Sequence, residues 1–133
     1  MRPVAPLLVA SPPAPYRLVI ELPALPHLQS GTWGHWARRR KHDKQWREWV
    51  GLTARAMGLP PAPLARAHVK VVRFSSVQPD ADNQVAAAKP LIDGLIGLVI
   101  VDDSPMHITR EYDWFRAPPR QGKTVVVVEE RQA

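Results

Sequence analysis

Five aspartates crowd one stretch of this chain, Asp80, Asp82, Asp93, Asp102 and Asp103, and Lys89 is the single base among them. Carboxylates brought together in space raise one another's pKa or recruit a cation. Asp80 and Asp82 are two residues apart, a spacing that in extended backbone sends both side chains to the same side. Asp102 and Asp103 follow the apolar run 99–101, read as a short strand whose end would set one of them beside the first pair. Adjacent strand residues alternate, so one of the two faces a shared ion while the other turns away or caps. Three hard oxygen donors with open positions suit Mg²⁺, and Mn²⁺ as well. Against a phosphodiester, such an ion generates hydroxide and stabilises the departing 3′ oxygen.

The same residues also have a plainer reading. Asp-x-Asp-Asn ahead of a helix is a capping and turn sequence, and paired aspartates after a strand often mark a turn. Lys89 either donates a charge-assisted bond to a phosphate or neutralises Asp93, four residues along. Asp93 itself reads as a helix-surface residue paired to a base.

Residues 33–47, WGHWARRRKHDKQWR, set Arg38, Arg39, Arg40, Lys41, Lys44 and Arg47 among Trp33, Trp36 and Trp46. Such a cluster holds a phosphate backbone without reading sequence, and an exposed tryptophan stacks on unpaired bases. Trp33, Trp36, Arg38, Arg39, Arg40, Lys41 and Lys44 are therefore candidate DNA contacts, and Arg110, Arg116, Arg120 and Lys123 would widen that surface. The alternative is a solvated basic loop whose tryptophans pack inward. His27, His35, His42, His68 and His107 show no metal-ligand spacing.

These residues need a scaffold. Residues 1–15 hold five prolines and read as an extended arm; the run at 7–10 is too short, with Pro6 before it, for a secretion signal. YRLVIEL (16–22) reads as a strand, followed by a polar loop over 27–42. A helix then starts at Asp43 as N-cap and ends before Gly58, burying Trp46, Trp49, Val50, Thr53 and Met57. HVKVVRFS (68–75) is a second strand. A helical stretch from about Asn83 to Gly94 or Gly97 is either kinked by Pro90 or restarted by it. Residues 107–115 alternate like a strand, and TVVVVEE (124–130) is apolar enough for the centre of a sheet. The order β-α-β-α-β-β-β predicts an α+β fold: one domain, a mixed β-sheet packed with two main helices.

Composition limits the alternatives. The chain has 133 residues, 45% of them hydrophobic, which is enough for one core and too apolar for a disordered tail. With no cysteine, disulfides, thiolate zinc sites and cysteine nucleophiles are excluded. No run approaches the ~18 apolar residues of a membrane span, so a cytoplasmic location is expected. The formal charge is +6, yet the 80–103 window has five acids and one base, leaving seventeen bases against seven acids elsewhere. An acidic knot in a basic protein points to an anionic partner held beside carboxylates.

The runs PDADN (79–83), KPLIDGL (89–95) and VIVDDSP (99–105) resemble the RusA family of Holliday junction resolvases, especially its phage-borne branch. The shared pattern is Asp-x-Asp-Asn, a lysine four residues before a helical aspartate, and an Asp-Asp pair after a short strand. Many members place the lysine four residues after the second Asp, where this chain has Ala86. The resemblance implies an intertwined homodimer, a RusA-like endonuclease domain over 16–133, and Mg²⁺-dependent paired nicking of four-way DNA junctions in recombination and repair. It also implies that Asp80, Asp82 and Asp103 bind metal, that Lys89 is essential, and that Asn83, Asp93 and Asp102 support them. Two other readings stay open: a non-catalytic basic DNA-binding protein, and a metal nuclease for other branched DNA.

Overall fold

Alternating burial along Arg17–Leu22 builds the first strand, β1, with Leu18, Ile20 and Leu22 turned inward. The structure, a computed structural model, describes residues 14–28 and 36–132. After β1 come helix α1 (Trp36–Met57), strand β2 (Ala67–Ser75), helix α2 (Ala81–Asp93), and strands β3 (Ile108–Arg116) and β4 (Lys123–Glu130). The four strands form one sheet in the order β1-β4-β2-β3. β4 runs antiparallel to both neighbours, whereas β2 and β3 are parallel and joined through α2. The fold is thus α+β with a mixed sheet and two main helices. The apolar run of β4 does occupy the interior of that sheet.

One face of the sheet is covered. Ile20, Leu22, Val69, Val126 and Val128 meet Val50 of α1 and Leu91 of α2 in the core, with Leu95, Val99 and Ile100 closing its end. The helices meet where α2 stops: a Cβ on Gly94 would lie 2.6 Å from the Arg47 carbonyl oxygen, so only glycine permits this approach.

Four expectations need correction. First, α1 begins at Trp36, so residues 36–42 are helical and Asp43 sits inside the helix rather than capping it. Ala37, Arg38, Arg39, Arg40 and Lys41 are good helix formers with no Gly or Pro among them, and the helix propagates through them. Second, the buried stripe of α1 is Trp46, Val50, Gly51 and Ala54. Trp46 is 7% exposed, but Trp49 is 37% and Met57 54% exposed. Third, α2 passes through Pro90 as one helix, with Pro90, Leu91 and Ile92 all buried. Pro90 has no N–H to offer the Ala86 carbonyl, and apolar burial offsets that loss. Fourth, 99–101 is not a strand of the sheet: Ile100 makes only isolated bridges to Leu64 and Ile96. Among the described residues, no helix is long and apolar enough to cross a membrane. Of the proline-rich arm, 1–13 lies outside the described residues, as does Trp33.

Candidate active site

The acidic residues take their positions from α2 and the loop that follows it. Asp80 occupies the N-cap position of α2 in extended backbone, but its carboxylate makes no capping bond; its carbonyl accepts from Gln84 N at 2.9 Å. Asp82 lies in the first turn of the helix. The two therefore do not continue one strand, and the same-side argument from extended spacing does not apply to them. Both are exposed, and neither carboxylate has an ion pair among the described residues.

Asp82, Ala86, Lys89 and Asp93 are spaced i, i+4, i+7 and i+11, which puts them along one face of α2. Lys89 sits near the middle of a charged cluster. Its Nζ is 3.3 Å from Asp93 Oδ1 and 3.6 Å from Asp103 Oδ2. Arg110, from β3, places Nη2 3.5 Å from the same Asp103 oxygen and also donates to the Asp103 carbonyl. Helix, loop and strand thus converge on one carboxylate. Around them opens a cavity of about 330 Å³, lined by Val85, Ala86, Lys89, Asp103, Arg110 and Tyr112. Burial raises the pKa of the Tyr112 hydroxyl, while the charges of Arg110 and Lys89 act against that rise. The hydroxyl thus remains a neutral donor.

The cluster brings together Lys89, Asp93 and Asp103, but not Asp80 or Asp82. Lys89 is seven residues from Asp82, about 10.5 Å along the helix axis, and Asp103 stays at the Lys89 end. Among the described residues, no three His, Asp or Glu side chains are grouped so as to hold a metal ion. Asp102 and Asn83 make no side-chain hydrogen bond or ion pair among the described residues. The first turn of α2 is instead fastened by Gln84, a buried side chain whose Nε2 donates to the Asp113 carbonyl at 2.6 Å.

The basic surface is helical. Arg38, Arg39, Arg40, Lys41 and Lys44 are exposed on the first turns of α1, and Trp36 is 63% exposed with the Arg40 guanidinium 5.2 Å from its ring centre. No acid lies in the first turn of this helix. Cations at a helix N-terminus oppose the macrodipole and repel one another. This end of the molecule is therefore unfavourable in isolation and suited to an anion. The anticipated extension of the surface is less available: Lys123 is bonded to Glu21 at 2.8 Å, and Arg116 to the Ser76 carbonyl at 2.7 Å.

Arg110 was expected as a surface base and proves to be a partner of Asp103. Tyr112 and Gln84 had no signal in the sequence beyond their alternation or burial. No protein-family model matches the chain, and no curated protein matches it either.

Proposed function

We propose that this protein is a cytoplasmic endonuclease for branched DNA, acting as a homodimer on four-way junctions with Mg²⁺, as its resemblance to the RusA resolvases implies. The observation that supports this best is the convergence of Lys89, Asp103 and Arg110 around an open cavity. A phosphodiester entering there meets two cations able to donate charge-assisted bonds to its non-bridging oxygens. As those cations turn to the phosphate, the Asp103 carboxylate loses its partners. The basic end of α1 holds the flanking backbone by charge. Two identical sites suit paired cuts across a pseudo-symmetric junction.

The magnesium site fits only in part. Asp80 and Asp82 offer unpaired hard oxygens, but Asp103 is held by Lys89 and Arg110, so the three do not make one ion site as arranged.

That partial fit favours a second reading, a basic protein that binds DNA without cutting it. The two readings separate on one experiment, incubation of four-way, three-way and linear DNA with the protein and Mg²⁺. Symmetric nicks confined to the four-way junction are expected, with cleavage and Mg²⁺ affinity both reduced in Asp80→Asn. Binding of all three DNAs without nicking would replace the nuclease with the binding protein. Equal nicking of three-way and four-way DNA would assign a broader nuclease.

A further inference from the structure

Arg73 lies near the end of β2, on the sheet face that carries Ala67, Val69 and Val71. Its guanidinium is half-buried. Nη1 donates to the Pro26 carbonyl at 3.0 Å, while Nε is buried with no hydrogen-bond partner among the described residues. No carboxylate pairs with it among the described residues, and segments 1–13 and 29–35 contain no Asp or Glu to supply one. Burial pulls the pKa of Arg73 down, the direction expected where a cation is taken from water without compensation. A half-buried cation without a counter-charge is stabilised by an anion brought to it from outside.

Arg73 opens onto a cavity of about 210 Å³ whose wall includes Leu25, Leu28, Ser75, Gln78, Pro79 and Arg120, and among the described residues no acidic side chain lines it. That volume is several times the ~30 Å³ share of one water, which is room for a phosphate group. Arg120 reaches the same cavity from a strained position. Its φ is 67°, the left-handed region, in a turn closed by Gln121 N donating to the Pro118 carbonyl at 3.1 Å. Glycine or asparagine is the usual choice there. A strained arginine beside a buried unpaired one is an outlier that points to a binding role.

We propose that this cavity is a phosphate-binding site in which the guanidinium groups of Arg73 and Arg120 face the oxyanion, and that its occupant is a backbone phosphate of bound DNA. The choice of occupant rests on the nucleic-acid reading above. Pro79 is part of the wall and directly precedes Asp80, so the phosphate held here belongs to the strand that passes the acidic loop. Inorganic phosphate offers the same chemistry, and the test separates the two sources.

The test follows the arginine Nε–H resonances of the full-length ¹⁵N-labelled protein, with the Arg73 signal assigned by its loss in Arg73→Lys. Titration with inorganic phosphate, at ionic strength matched with chloride, is expected to shift that resonance saturably, and four-way junction DNA is expected to shift it likewise. Arg120→Gly relieves the positive φ, so its melting temperature should hold or rise while phosphate affinity falls about tenfold or more. A resonance unmoved by both probes would overturn the site, as would unchanged phosphate affinity in Arg120→Gly. A response to phosphate but not to DNA, in protein that shifts the junction on a gel, would overturn the DNA occupant alone. Failure of the wild-type protein to bind any DNA would remove the nucleic-acid reading and the DNA occupant with it, while the phosphate arm still decides the site.

Discussion

Two clusters of charge in this protein have similar members and distances but different architecture. On the open face of the sheet, His68 Nε2 is 2.8 Å from Glu111 Oε1, and Lys70 Nζ is 3.4 Å from Glu111 Oε2 and 3.8 Å from Asp113. Every partner there is one strand away: Lys70 stands opposite Glu111 in the β2–β3 register, and His68 opposite Thr109. Strand pairing alone produces that ladder, and cross-strand pairs of this kind stabilise sheets modestly. In the other cluster Lys89 from a helix and Arg110 from a strand converge on the loop carboxylate of Asp103, and the three line a cavity. No single register places them. A charged network that follows local pairing is explained by strand register alone, whereas one assembled from three elements around a void is not.

The strongest way to break this comparison is to neutralise one residue in each cluster. Lys89→Ala and Asp103→Asn should each lower junction cleavage by about 10²-fold or more, the scale of losing an electrostatic contact to a reacting phosphate. Their melting temperatures should change little, because exposed ion pairs are worth only ~0–1 kcal/mol. Glu111→Gln should leave cleavage within about twofold of wild type. Equal losses from Asp103→Asn and Glu111→Gln in a cleavage time course would erase the distinction between the clusters.

A second substitution attacks the frame rather than the charges. Gly94 ends α2 against the backbone of α1, and an added Cβ would meet the Arg47 carbonyl oxygen at 2.6 Å and Arg47 Cα at 3.1 Å. Backbone cannot step aside as a flexible side chain does, so Gly94→Ala should cost about 1–3 kcal/mol in denaturant unfolding. Because Asp93 precedes this contact and the loop to Asp103 follows it, cleavage should fall along with stability. The β2–β3 ladder lies outside the contact. Unchanged unfolding in Gly94→Ala would mean that the helices slide freely and do not fix the cavity.

How far the sequence anticipates all this depends on the range of each interaction. The strand character of 16–22, 68–75 and 124–130 and the alternation over 107–115 are local, and they report the sheet correctly. The Lys89–Asp93 pair is also local, one helical turn apart, and can be read directly from its i, i+4 spacing. The start of α1 is misjudged because a run of arginines suggests solvent, whereas their helix propensity governs the backbone. The buried stripe is misjudged because counting large apolar residues favours Trp49 and Met57 over Gly51 and Ala54, the small residues that a helix crossing needs. Residues 99–101 look like a strand but lie off the sheet, with Val99 and Ile100 packed into the core beside Leu64 and Val101 exposed. Arg110 against Asp103, Gln84 against the Asp113 carbonyl, and the solitary Arg73 are products of tertiary packing, for which spacing gives no signal.

The smallest effect belongs to the sheet ladder and concerns pH. The hydrogen bond with His68 is the main cause holding the Glu111 carboxyl below its ordinary 4.5, with Lys70 adding to it. A carboxyl whose folded pKa is depressed favours the folded state fully above its unfolded value, and that contribution is lost as pH falls through the folded value. Acidification below 4.5 should therefore withdraw a small stabilisation. Glu111 is exposed, so solvent screens the effect strongly. Melting curves taken between about pH 6 and pH 3 should show a slightly gentler acid decline in Glu111→Gln than in the wild type. A wild-type decline reproduced unchanged in Glu111→Gln would place the acid sensitivity outside the ladder and leave the ladder with no measurable thermodynamic role.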